Sequence, residues 1–192
     1  GDSASTGIIS DGLFDGAYVY NSGELIISAS TQYGSAEAIG IDAYSYYDVA
    51  TVFNNGDINV SASVAGISNI YTPTDTTANA YGINVSAYGE VVIDNSGNIT
   101  LSASNNLYLG ASTAVGINVD AYNGASITNS GDIVITASSG GGAGYAFVYD
   151  PSQTLCGYYN CYITYEGTID TAGIRSTSEY GVTTITNSGD IT

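Results

Sequence analysis

Two short phrases each recur five times along the 192-residue chain, and their spacing limits what it can fold into. One is Asn-Ser-Gly or Asn-Asn-Gly, beginning at Asn21, Asn54, Asn95, Asn129 and Asn187. The other is Gly-Ile, beginning at Gly7, Gly40, Gly82, Gly116 and Gly173, always 13 or 14 residues ahead of its Asn. Repetition of this kind marks a repeat architecture. Aligned on the anchors, Val19, Val52, Ile93, Ile127 and Ile185 fall two residues before the Asn. Leu25, Ile58, Ile99, Ile133 and Ile191 fall four residues after it, and a further apolar residue and an Ala follow at period two in the first four copies. Period-two alternation rich in β-branched residues means strands rather than helices. Three short strands per copy, broken at Gly and Asn corners, predict one triangular coil. Stacked coils would set each aligned side chain above its equivalent at the inter-strand spacing of ~4.8 Å, as columns.

The expected fold is therefore all-β, a parallel β-helix of about five coils forming one domain over residues 1–192. Asn tolerates a left-handed corner, and a Gly two residues on permits a tight turn. Stacked Asn21, Asn54, Asn95, Asn129 and Asn187 can also form a hydrogen-bonded ladder from coil to coil. Three residues after each Asn stand Glu24, Asp57, Asn98, Asp132 and Asp190. In register, Glu24 would lie beside Asp57 and Asp132 beside Asp190, a repulsion of roughly 1 kcal/mol in water and about 3–4 at the effective dielectric of a protein surface. Ca²⁺, which takes hard oxygen ligands, would turn that repulsion into attraction at Glu24, Asp57, Asp132 and Asp190. The plainer reading is that these acids splay into solvent and are screened. Tyr46, Tyr88 and Tyr122 share one position near a corner, as a stabilising aromatic column or a carbohydrate-binding stripe. Asn59, Asn84 and Asn98 fit the glycosylation pattern.

From each Asn to the next Gly-Ile the distance varies from 19 to 44 residues, so all insertions should leave from one corner. The longest, about 139–170, is tyrosine-rich and holds both cysteines, Cys156 and Cys161, in "LCGYYNCY". Metal ligation would want more thiols or a His. A disulfide stapling the loop suits an oxidising, extracytoplasmic setting, with two free thiols as the alternative. The loop is either a partner contact, with a glycan or a surface protein, or a cover for the core edge. In the shorter insertion, "VAGISN" (64–69) echoes the Gly-Ile anchor as a candidate extra strand.

Composition narrows the partners. There are 18 acidic residues, one basic residue (Arg175) and no His, for a net charge of −17. Nothing here can neutralise phosphates, so nucleic acid is not an expected partner, and anionic membrane surfaces are excluded alike. No run is long and apolar enough to insert in a bilayer.

Stretches such as "AYGINVSAYGEVVIDNSGNITLSAS" (80–104) and "AVGINVDAYNGASITNSGDIVITAS" (114–138) resemble bacterial autotransporter passenger domains and related secreted adhesins. The resemblance implies a right-handed parallel β-helix displayed outside the cell or at its surface. Some proteins of that fold are polysaccharide lyases or hydrolases. Lyase chemistry uses basic residues, and glycoside hydrolysis needs two carboxylates at a set separation in a cleft. Corner carboxylates do not supply that pair, so no enzyme activity and no catalytic residue is expected.

The chain opens on "GDSASTGIIS" and closes on "ITNSGDIT", so its start holds the "SAS" that its last copy lacks. It reads either as an excerpt of a longer array or as a subunit completed by its neighbour. In the second case Gly1, Asp2, Ser3, Ala4 and Ser5 of one copy meet Asp190, Ile191 and Thr192 of the next. Heterologous contacts of this kind propagate into a filament. The expected function is thus an extracellular structural filament assembled head-to-tail; the alternative is the displayed stalk of an adhesin. The scarcity of Lys and Arg leaves trypsin-like proteases little to cut. Uniform negative charge should hold rods apart. Turbidity should therefore rise as the pH falls toward the acidic isoelectric point and on addition of divalent cations; turbidity indifferent to both would refute this role of charge.

Overall fold

A computed structural model describes residues 1–66, 76–107, 110–140 and 168–192. Fourteen strands lie in three parallel sheets that wind along one axis. The first sheet stacks β1 (Ser3–Gly12), β4 (Ala36–Ser45), β7 (Thr77–Ala87), β10 (Ala111–Ala121) and β13 (Ile169–Ser178) in that order. The second stacks β2 (Ala17–Asn21), β5 (Ala50–Asn54), β8 (Val91–Asn95), β11 (Ala125–Asn129) and β14 (Thr183–Asn187). The third stacks β3 (Leu25–Thr31), β6 (Ile58–Val64), β9 (Ile99–Asn105) and β12 (Ile133–Ser139). This is a parallel β-helix with one strand of each sheet in each of the first four coils, and no helix occurs among the described residues.

Register follows the sequence anchors. Ile8 faces Ile41, Ile41 faces Ile83, Ile83 faces Ile117 and Ile117 faces Ile174 across the first sheet. Val52 pairs with Ile93 and Ile93 with Ile127 in the second, while Ile58, Ile99 and Ile133 align in the third. These side chains fill the interior of the middle coils with essentially no exposure. A wholly buried Ile or Val contributes about 1.5–3 kcal/mol, and each column repeats that gain coil after coil.

Two corners hold their length. Three or four residues join the first sheet to the second, and always three join the second to the third. The remaining corner runs from four residues (32–35) to the stretch 140–168, so variable length does gather at one edge. Part of "VAGISN", and both Cys156 and Cys161, lie outside the described residues.

Two expectations are corrected here. Gly-Ile is no corner: Gly7, Gly40, Gly82, Gly116 and Gly173 sit inside ten- or eleven-residue strands. In β4 the inward set runs Ala36, Ala38 before Gly40 and Ile41, Ala43, Ser45 after it, so the alternation changes phase at the glycine. Freed of a side chain, the backbone bends there without leaving the sheet. The second correction concerns the chain start. Ser3, Ala4 and Ser5 pair with Ala36, Glu37 and Ala38 in the first sheet, not with a third-sheet "SAS". The Gly1 amino group donates to the Tyr33 carbonyl (3.1 Å), and Asp2 Oδ1 accepts from the Ser35 amide (2.8 Å). These residues are already engaged, so they are not a loose donor segment.

Space, rather than a left-handed conformation, fixes the repeated glycines. A Cβ on Gly82 would lie 2.5 Å from the Gly116 carbonyl oxygen and 2.5 Å from Ile99 Cγ2. Likewise the Asn-Ser-Gly glycines do not take the positive φ expected of a tight turn; a Cβ on Gly97 would strike the Gly56 carbonyl one coil away. Gly82→Ala should cost about 3 kcal/mol, because backbone on the neighbouring coil would have to move. The urea midpoint should fall accordingly with an unchanged m-value.

Candidate functional site

Each anchor Asn is the last residue of its second-sheet strand, and Asn21, Asn54, Asn95 and Asn129 are buried. Asn21 Nδ2 donates to Asn54 Oδ1 (2.7 Å), Asn54 to Asn95 (2.6 Å), Asn95 to Asn129 (2.6 Å) and Asn129 to Asn187 (2.7 Å). The second Nδ2 hydrogen goes to the carbonyl of the Gly two residues on, at 2.7–2.8 Å. The five amides form one polar ladder with every hydrogen bond running the same way. Asn54 and Asn95 are wholly buried, where an unmet amide would be costly. The sequence placed Asn in a left-handed corner; the structure places it at a strand end, where it holds adjacent coils together.

The acidic file is hydrogen-bonded from coil to coil. Asp57 Oδ1 accepts from the Asn98 backbone N–H (2.9 Å), Asn98 Oδ1 from that of Asp132 (3.0 Å), and Asp132 Oδ1 from that of Asp190 (3.0 Å). Glu24 instead takes the Asn59 side-chain amide (3.1 Å). Each Asp with a successor thus spends an oxygen on the next coil's backbone, and charge-assisted bonds of this type offset repulsion along the file. Among the described residues, no group of three or more acidic, His or Cys side chains comes together. The glycosylation candidate Asn98 is a member of this file.

At the corner between the first and second sheets the exposed aromatic rings fall into two sets. In one, Phe14 stacks on Tyr47 (centroids 5.2 Å, planes 8° apart), Tyr47 meets Tyr46 edge-on (4.5 Å, 78°), and Tyr46 lies 6.3 Å from Tyr44. In the other, Tyr88 stacks on Tyr122 (4.2 Å, 9°), which meets Tyr180 at 4.8 Å. The repeat spacing sets Tyr46, Tyr88 and Tyr122 in one column. Tyr180 was missed because the count ran forward from the Gly-Ile anchor, which puts Glu179 at the aligned position; counted back from the Asn, Phe14, Tyr47, Tyr88, Tyr122 and Tyr180 all fall seven residues before it. A groove of about 350 Å³ is bordered by Tyr44 and Tyr46 from one set and by Tyr88 and Tyr122 from the other. Ser86, Asp120 and Glu179 complete its polar lining, and Asp120 Oδ1 is steadied by Thr177 Oγ1 (3.0 Å). The Tyr122 phenol is held above its ordinary pKa, first by its hydrogen bond with Tyr88, then by desolvation, with the charge of Glu179 a smaller contribution.

A scan with family models and searches of curated proteins and of solved structures found no match.

Asn95→Ala should remove about 3 kcal/mol of stability, since it strands Asn129 Oδ1 and a donor hydrogen of Asn54 in the interior. Asp132→Asn, which imitates Asn98, should stay within about 0.5 kcal/mol of the parent. Thermal unfolding compares the two; equal losses would show that the ladders do not differ as described.

Proposed function

We propose that the chain is an extracellular structural protein that assembles head-to-tail, end face on end face, into a filament. The observation that carries this reading is the pairing of half-made rungs at opposite ends. Asn187 Nδ2 bonds only to Gly189 within its own coil, whereas every earlier Asn of the ladder also donates to the next coil. At the other end Asn21 Oδ1 accepts only from the Gly23 amide. An Asn187 donor of one copy therefore matches the Asn21 acceptor of another.

Three further features agree. Ile185 and Ile191 are 47% and 46% exposed, while Ile127 and Ile133, their equivalents one coil back, are buried. Apolar area of that kind is stabilised by a covering coil. The interior column Ile-plus-two changes from Ala43, Val85 and Val119 to Ser10 at one end and Ser176 at the other. The Ser176 hydroxyl is buried without a partner, and end-to-end stacking would bring it against Ser10. Finally, a Cβ on Gly23 has open space, whereas one on Gly56 or Gly97 meets the preceding coil. An extracellular setting is supported by the adhesin-like repeat grammar and by the near absence of basic cleavage sites. Gly1 to Ser5 contribute through the edge of β1, and Asp190, Ile191 and Thr192 through the opposite face.

A second reading, the stalk of a displayed adhesin, draws on the third corner, where all the added length of chain falls. There the same end faces would be covered by further coils of one longer solenoid.

Gly23→Ala separates the two. Its added methyl meets nothing in the isolated chain, so the unfolding midpoint should be unchanged. In a stack it would strike the Gly189 carbonyl of the preceding copy and abolish assembly. Ile185→Asp should act from the opposite face, raising the critical concentration by about two orders of magnitude. Sedimentation and electron microscopy read both. A parent chain that stays monodisperse at all concentrations, or a Gly23→Ala chain that polymerises normally, would overturn the filament.

A further inference from the structure

The aromatic groove lies on the flank of the rod; its tyrosines belong to the second, third and fourth coils, and of its lining only Glu179 comes from the last coil. We propose that the groove is a binding site for a neutral carbohydrate, taking a sugar ring between the Tyr44–Tyr46 wall and the Tyr88–Tyr122 pair.

The bland reading of these rings is that they stack to stiffen the corner. That reading predicts an unbroken file of rings from coil to coil. Instead the rings close into two sets, Tyr46 turning to Tyr47 and Tyr88 to Tyr122, and a groove of about 350 Å³ opens between them. Its size is within the range of small-ligand sites, which combine apolar walls with a few convergent polar groups. Tyr44, Tyr46 and Tyr88 keep 43%, 47% and 55% of their surface exposed, so they contribute little to the core. Tyrosine presents an apolar body and a polar tip, which suits a ligand whose one side is C–H and whose rim is hydroxyl.

The polar lining selects within that class. Asp120 and Glu179 are acceptors for hydroxyl donors, and Ser86 can donate or accept. Asp120 is held in place by Thr177, so part of the ordering needed for binding is already done. No basic side chain lines the groove; Arg175 is bonded to Asp170 at 2.6 Å. Phosphorylated, sulfated and uronic or sialic sugars would meet two carboxylates without a counter-charge. The lining therefore favours an uncharged sugar. An organic cation is the rival ligand, because aromatic faces and carboxylates also attract ammonium groups.

Calorimetric titration of the full chain with neutral oligosaccharides of glucose, galactose and mannose tests the site, with choline and a sialylated oligosaccharide alongside. At least one neutral sugar should bind saturably, with little dependence on salt. Tyr88→Ala and Asp120→Asn should each weaken it about tenfold or more. Ser86→Tyr should block it: Ser86 sits in register with Tyr44 on the exterior of the first sheet, so the fold already accepts tyrosine in that file. Far-UV circular dichroism unchanged in Ser86→Tyr would confirm that blockage, not unfolding, removed binding. No saturable neutral-sugar binding, binding of choline alone with loss in high salt, or sugar binding indifferent to Ser86→Tyr would overturn the proposal. Because sedimentation reports the end faces and calorimetry the flank, failure of either leaves the other result intact.

Discussion

Equal residues on successive coils occupy equal positions, and everything else in this molecule depends on that register. At a strand spacing of ~4.8 Å, each backbone N–H and C=O in the sheets finds its partner on the next coil. A side chain is then placed against a copy of itself, which is favourable for few residue types. Ile and Val interlock in a dry column. Asn carries donor and acceptor on one planar amide, so a file of Asn closes every rung. Asp offers no donor, and its file holds only because backbone amides of the next coil supply one.

The same constraint explains why glycine recurs where no unusual backbone angle needs it. Parallel coils cannot spread apart locally without breaking three sheets at once. Wherever a carbonyl of one coil points at the Cα of another, the Cα must be bare. Gly82 against Gly116 and Gly97 against Gly56 are both such places. Interior volume is equally fixed: Ile99 reaches under the bend in the first sheet, and the bend has room for it because Gly82 carries no side chain.

Much of this was legible in the chain itself. The anchors gave the coils, the columns and the edge that takes insertions, because stacking demands a nearly constant count between corners. The phase change inside the first-sheet strands was hidden, since Ile39-Gly40-Ile41 reads equally as a strand start or a bend. Partners of the acidic file were invisible because they are backbone amides, which carry no residue identity. Tyr180 escaped because the corner holds three residues in two coils and four in the others, so a count forward from the Gly-Ile anchor and a count back from the Asn align different aromatics. "SAS" at 3–5 misled for a related reason. Small alternating residues fit the first sheet, next to Ala36 and Ala38, as well as they fit the third.

The axial hydrogen bonds carry a mechanical consequence. In a β-helix the backbone bonds between coils lie along the rod, so a pull from end to end stretches all those of one interface together, and adding coils makes the rod longer but no stronger.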